Sequence, residues 1–351
     1  MIKSSNPGSY YYVCTRMRVR KTQLIPREEY LKILHMSLPE IALFIERTRY
    51  KEEIDELATS FSGIDLLEVA LSWNLAKEYQ KILDIAPAAL KSLTVSYLRK
   101  WDIQNILTLL RGKVQGVKAG KIKEVLIPAG ELDKSVLDRL LAEETPERIV
   151  EALKSYHIYP VVARELPGAM ASGSFDRMEN ELYKQFYSEI LKEALSGIKG
   201  GAYFAEYVRL EIDIKNMINL FRLMGKKPAG DVSGVLIPGG GMYRLEDLKR
   251  MTEIRDLPEL IGSLEERTSL EPLREVLADM RRDRSVREIE ILLIRFQLAQ
   301  MERLSKRYPF SIYPVLAYLE AKRIEVYNLR AIARGKERNL SAELIREYLV
   351  M

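Results

Sequence analysis

Three stretches of this 351-residue chain align on one asparagine without a gap: WDIQNILTLLRGK from Trp101, IDIKNMINLFRLM from Ile212 and IEVYNLRAIARGK from Ile324. Each carries an acid, an asparagine three residues on, and an arginine six beyond that. The sets are Asp102, Asn105 and Arg111; Asp213, Asn216 and Arg222; Glu325, Asn328 and Arg334. The asparagines lie 111 and 112 positions apart. Solenoid turns repeat every 20 to 50 residues or so, so units of this size are closer to domains. The chain therefore reads as three homologous helical repeats, 1–115, 116–227 and 228–351.

A second element follows the first two copies, Leu126-Ile127-Pro128 and Leu236-Ile237-Pro238, with a Pro-acid step about twenty residues later at Pro146-Glu147 and Pro258-Glu259. After Arg334 no third Leu-Ile-Pro occurs. It stands at the other end, as Leu24-Ile25-Pro26, followed by Pro39-Glu40-Ile41 and by Glu46-Arg47-Thr48, which matches Glu266-Arg267-Thr268. The N-terminus thus carries the half-unit expected after the last motif, and three units written in a cycle imply a ring-like body with approximate threefold symmetry and neighbouring chain ends.

The fold class is all-α. From Ile64, apolar residues recur at Leu67, Leu71, Leu75, Tyr79 and Ile82, and again at Ile289, Leu293, Phe296 and Leu304, the spacing that lines one helix face. Strand alternation and Asn-Gly or Asp-Gly hairpin signals are missing. Pro167-Gly168, the run Lys226-Lys227-Pro228-Ala229-Gly230, and Pro238-Gly239-Gly240-Gly241 read as turns. The motif segments are apolar on most sides (Trp101, Ile103, Ile106, Leu107, Leu109 and Leu110 in the first), which predicts buried helices. A buried acid and amide need partners, because an unmet polar group costs about 1–3 kcal/mol. The arginine cannot serve, since nine residues along a helix span roughly 13.5 Å. The acid and asparagine are therefore expected to tie each helix to a loop or neighbouring helix of its own unit.

The sequence offers little to a catalyst. One cysteine (Cys14) and two histidines (His35, His157) exclude a disulfide framework and a His/Cys metal site of ordinary ligand count. GKVQGVKAGK, from Gly112, has the wrong glycine spacing for a phosphate loop, and Ile122 stands where Ser or Thr would meet magnesium; it reads as a basic connector. PGAMASGSF around Ser172 and Ser174 lacks nucleophile-elbow spacing. No catalytic, cofactor-binding or metal-binding residue is assigned, and three equal copies of one acid beside an amide argue for structural use. Lys and Arg number 55 against 50 Asp and Glu, an excess too small and too spread to call for nucleic acid. No run reaches the roughly 18–20 apolar residues of a membrane span, so the chain is expected to be soluble or at most peripheral.

The whole chain resembles the C subunit of archaeal-type (A/V-type) rotary ATP synthases, akin to the d subunit of eukaryotic vacuolar ATPases. The resemblance is carried by RMRVRKTQLIPREEY, WDIQNILTLLRGK, KEVLIPAGEL and AKRIEVYNLRAIARGK. The second unit departs, with Leu223-Met224 where the others have Gly112-Lys113 and Gly335-Lys336. The resemblance implies a non-catalytic rotor part, peripheral on the cytoplasmic side of the membrane, seated on the proteolipid ring and receiving the central-stalk subunits, without cofactor. A generic helical-repeat scaffold for another protein partner is the alternative. Arg111 and Arg334, each followed by Gly-Lys, are candidate partner contacts, or else serve the carbonyls at their helix ends.

Overall fold

The computed structural model describes residues 10–224, 233–281 and 284–351, and the run Lys226 to Gly230 lies outside them. Every regular element among the described residues is a helix. The two stripes read from the sequence fall on helices Gly63–Ile85 and Val286–Arg307, where Leu67, Leu71, Leu75, Tyr79 and Ile82, and Ile289, Leu293, Phe296 and Leu304, are buried. The three asparagine motifs lie on helices Lys100–Val114, Gly201–Met224 and Tyr313–Glu337.

Local chemistry sets the helix starts. Ser37 and Ser285 each form a capping box with the glutamate three residues on, Glu40 and Glu288. Thr145 and Asp256 accept from the backbone N–H three residues ahead, at Arg148 and Glu259. The Pro-acid steps are thereby explained: Pro39, Pro146 and Pro258 all sit in the first turn of a helix, where the missing N–H costs nothing. One turn reading fails. Pro167 and Gly168 lie inside helix Tyr159–Ser172, which continues to Gly173 at φ +69°. Buried Leu166 and Ala169 hold that stretch to the core, and tertiary packing overrides the local break.

Helix Tyr313–Glu337 is the spine. It packs against Gly63–Ile85, Val286–Arg307 and the N-terminal helix Tyr10–Lys21, and is buried on nearly all sides, as an apolar helix must be. The first described helix therefore packs on the last long one. Cys14 Sγ donates to the Ser311 carbonyl at 3.2 Å, and burial pushes its thiol up to about 11, which leaves it inert. Arg20 pairs with Glu78, whose carboxylate also accepts from Tyr318 Oη at 2.7 Å.

Burial works against the charge of Glu78, but the hydrogen bonds from Tyr318 and Arg20 prevail and bring its pKa down to about 2. With an ordinary value near 4.5 in the unfolded chain, the stability it contributes is full above about pH 4.5 and is lost as pH falls through 2. A Glu78→Gln variant should accordingly show a flatter decline of its urea midpoint between pH 5 and pH 3 than the parent. Parallel declines would show that this carboxylate does not couple the N-terminal helix to the body.

Candidate functional site

The repeated residues build the same device three times. Asn105 clasps the backbone of Ile127, its Nδ2 donating to the carbonyl at 2.7 Å and its Oδ1 accepting from the N–H at 2.9 Å. Asn216 does the same to Ile237 at 2.8 Å in both directions. Each amide side chain replaces the strand partner that the passing backbone lacks, satisfying two buried groups at once. Three residues before each asparagine, the acid caps the loop that follows: Asp102 accepts from Glu131 and Leu132 N–H, and Asp213 from Gly241 and Met242 N–H. Burial raises these carboxyls against the pull of the N–H donors, Asp102 up to about 7 and Asp213 up to about 6.

The third clasp corrects the reading of the repeat. Asn328 holds Val350, at 2.8 and 2.9 Å, within the closing run Tyr348-Leu349-Val350-Met351. The missing Leu-Ile-Pro is therefore Leu349-Val350-Met351, at the C-terminus, and Leu24-Ile25-Pro26 is its look-alike. Ile25 has a different job: its N–H donates to Glu325 Oε2 at 2.6 Å, as Leu132 and Met242 donate to Asp102 and Asp213. The N-terminal half-unit thus does complete the third repeat, beginning at the acid's loop rather than at the asparagine's.

Glycine decides which acid is used. Two positions before the donating N–H stand Gly130 and Gly240, and a Cβ at either would overlap the aspartate carboxylate. Before Ile25 the same position is Gln23. The loop must stand further off, and glutamate supplies the extra methylene. Tyr50 Oη and Lys322 Nζ, each 2.7 Å from Glu325 Oε1, satisfy the remaining oxygen.

The glycines of the first and third units have a similar cause. An added Cβ at Gly112 would lie 2.6 Å from Ile122, and one at Gly335 2.5 Å from Ile345. Both glycines let a short helix, Ala119–Val125 or Ala342–Arg346, lie against the end of the motif helix. The backbone between also repeats: Gly116 at φ +67° and Asn339 at φ +54° turn the chain so that Val117 and Leu340 N–H return to the Gly112 and Gly335 carbonyls. The basic connector is thus a built corner. Residues 225–232, which follow Leu223-Met224 in the second unit, lie outside the described ones.

The arginines reach outward to the next unit. Arg111 pairs with Glu179 at 2.7 Å, Arg222 with Glu290 at 2.5 and 2.9 Å, and Arg334 with Glu68 at 2.5 Å. The last pair runs from the end of the chain back to its beginning, so the three ion pairs close a cycle. Their acceptors stand near the starts of helices Gly63–Ile85, Asp176–Ala194 and Val286–Arg307, at intervals of 111 residues. That recurrence is present in the sequence and is enough to name the partners. Arg111 and Arg334 keep 39% and 53% of their side chains exposed while paired.

A second junction lies two residues before the motif acids, at Lys100, Glu211 and Arg323. Glu320 accepts from Lys100 at 2.6 Å, Tyr97 at 2.8 Å and Arg323 at 2.8 Å. Tyr97 Oη also reaches Glu211 at 3.0 Å and Tyr207 at 2.6 Å, and Tyr187 Oη donates to Glu211 at 2.9 Å. Burial opposes ionisation of Glu320, and the Arg323 and Lys100 charges overcome it, holding the carboxyl well below its usual range. All three motif helices therefore meet in one polar knot. Among the described residues no His, Cys, Asp and Glu group is arranged to hold a metal ion, and no helix is long and apolar enough to cross a membrane.

A helical body whose repeated polar residues go into the clasps and ion pairs that tie it together is of the class of structural components. Its particular kind is given by comparison with known proteins. The chain belongs to the ATP synthase (C/AC39) subunit family, which it matches over residues 13–348, and is a non-catalytic subunit of that complex. It is similar to the C subunit of the A-type ATP synthase of Methanosarcina mazei, 38% identical with 99% of this chain and 95% of that protein covered. The corresponding A-type ATP synthase protein of Methanococcoides burtonii is 36% identical over 99% and 96%, and that of Archaeoglobus fulgidus 33% identical over 100% and 99%.

Proposed function

We propose that the chain is the rotor collar of an A-type ATP synthase: a pseudo-threefold funnel, built of repeats 1–115, 116–227 and 228–351, that joins the central-stalk subunits to the membrane proteolipid ring on its cytoplasmic side. It carries rotation and so links ion translocation to ATP synthesis or hydrolysis. The observation that carries this reading is the closed cycle of ion pairs, Arg111 to Glu179, Arg222 to Glu290 and Arg334 to Glu68. Torque applied to one unit of a closed body is shared by all three seams, and close-packed helices transmit strain rather than absorb it.

A single stalk on a threefold-like body must be recognised by what breaks the symmetry. On the third motif helix Arg330 and Arg338 flank Arg334, where the first unit has Leu107 and Gln115. With Tyr327, Tyr348 and Ile345 these arginines border a hollow of about 440 Å³, a place for an acidic or aromatic side chain of the stalk. In this reading Arg334 faces the partner and Arg111 braces its own seam. Native mass spectrometry of the chain mixed with stalk subunits and detergent-solubilised ring should give complexes with both. Charge reversal at Arg338, which makes no ion pair among the described residues, should weaken the stalk complex and spare the ring complex, whereas Arg330 is already held by Glu68 at 2.9 Å. Failure of the unaltered chain to join either would overturn the collar reading.

A further inference from the structure

We infer that the face where the Tyr10–Lys21, Gly201–Met224 and Tyr313–Glu337 helices begin is a lipid-binding surface, which rests against the anionic headgroups of a bilayer. Three exposed aromatic side chains mark it. Tyr11 and Phe310 touch in a tilted pair, 4.5 Å between ring centroids, though 63% and 49% exposed. Tyr203, 38% exposed, packs on Tyr308 at 5.0 Å and on Tyr313 at 5.6 Å. Rings that stay in water while touching one another bury little on folding alone, and a contiguous exposed apolar patch marks an interaction site.

The charges around the rings say what covers them. Arg16 lies over Tyr12, Arg18 over Phe310, Lys199 over Tyr10 and Arg307 over Tyr308, at 5.4 to 5.9 Å. None of these four cations is in an ion pair among the described residues. On the adjoining helices Glu302 is paired with Lys21 and Lys306, while Glu206 accepts from the Tyr313 hydroxyl at 2.7 Å and keeps one negative charge against the four cations. Two of the three helices that start here are long, so their positive dipole ends add to the same field.

Aromatic rings interleaved with unpaired Lys and Arg are the composition of a membrane interface, the rings at headgroup level and the cations on phosphates. The patch lies roughly 37 Å from Arg338, the full length of the 25-residue helix Tyr313–Glu337. It therefore occupies the end of the body opposite the Arg334–Glu68 pair. The inference rests on the collar reading only for which membrane is met.

Sedimentation of the purified chain with vesicles tests it. Vesicles of phosphatidylglycerol and phosphatidylcholine in equal parts should carry the chain down at low salt, and phosphatidylcholine alone should not. Each Lys or Arg near such a surface is worth about fivefold in partitioning, so joint Arg16→Glu and Arg18→Glu replacement should cut binding at least about thirtyfold. Joint Tyr11→Ser and Phe310→Ser replacement should weaken it with the salt dependence unchanged. Arg338→Glu, at the far end, should leave it intact, and thermal melts show whether each variant is folded. No sedimentation of the unaltered chain, equal binding to both vesicles, or capture by polyglutamate without vesicle binding (an acidic protein partner) would each overturn the inference. A chain that joins the proteolipid ring yet ignores vesicles loses the lipid surface and keeps the collar; one that binds vesicles and joins no ring does the reverse.

Discussion

Replacing Glu320 by alanine should destabilise the protein by roughly 3–5 kcal/mol, more than any other single substitution in the central knot. The cause is what remains. Lys100, nearly buried and 2.6 Å from the lost carboxylate, keeps its charge with only the Tyr97 ring beneath it at 3.7 Å. Arg323 loses both of its contacts to the same group, and Tyr97 one of its two carboxylate acceptors. Removing one member of a buried pair leaves an uncompensated ion, whereas removing both returns much of the loss. The double variant Glu320→Ala with Lys100→Met is therefore expected to be more stable than Glu320→Ala alone. Urea unfolding measures both, and a single variant costing under about 1 kcal/mol, or a double variant with no recovery, would show the knot to be dispensable.

The knot also marks where a sequence stops speaking. Helix positions are legible because burial imposes periodicity, as at Leu67, Leu71 and Leu75. The clasps are legible because the physical demand is the same in each unit: a passing backbone has one N–H and one carbonyl to satisfy, and asparagine supplies one donor and one acceptor. The knot obeys the opposite rule. Equivalent side chains that converge near an axis cannot share a charge without repelling, so the positions two before the motif acids read Lys100, Glu211 and Arg323. A search for identity among repeats passes over such a site, although the alternation of sign is itself the mark of convergence. The third clasp escapes a sequence reading for a related reason. Leu24-Ile25-Pro26 imitates the Leu-Ile-Pro pattern, whereas only the backbone of Val350 matters to Asn328, and a backbone group leaves no trace in the sequence.

The same dependence on backbone makes the chain's last residues a structural part, with a large expected effect. Asn328→Ala removes two hydrogen bonds and leaves a buried N–H and carbonyl at Val350 unmet, at about 1–3 kcal/mol for each. Asn216→Ala should cost a similar amount at Ile237, because that clasp has the same geometry. The two differ in what a second change does. Ending the chain at Leu349 removes the group that Asn328 serves and leaves the buried amide without a partner instead. Each alteration alone should lower stability by roughly 2–4 kcal/mol, and the pair combined by clearly less than their sum, since one bond set is lost either way. A double-alteration cycle by thermal or urea unfolding reads the coupling directly. Additive losses would mean that the chain end and Asn328 are held by separate contacts. A coupling of about 1–3 kcal/mol would mean that the body is closed by a noncovalent latch between Asn328 and Val350, matching in kind the clasps at Ile127 and Ile237.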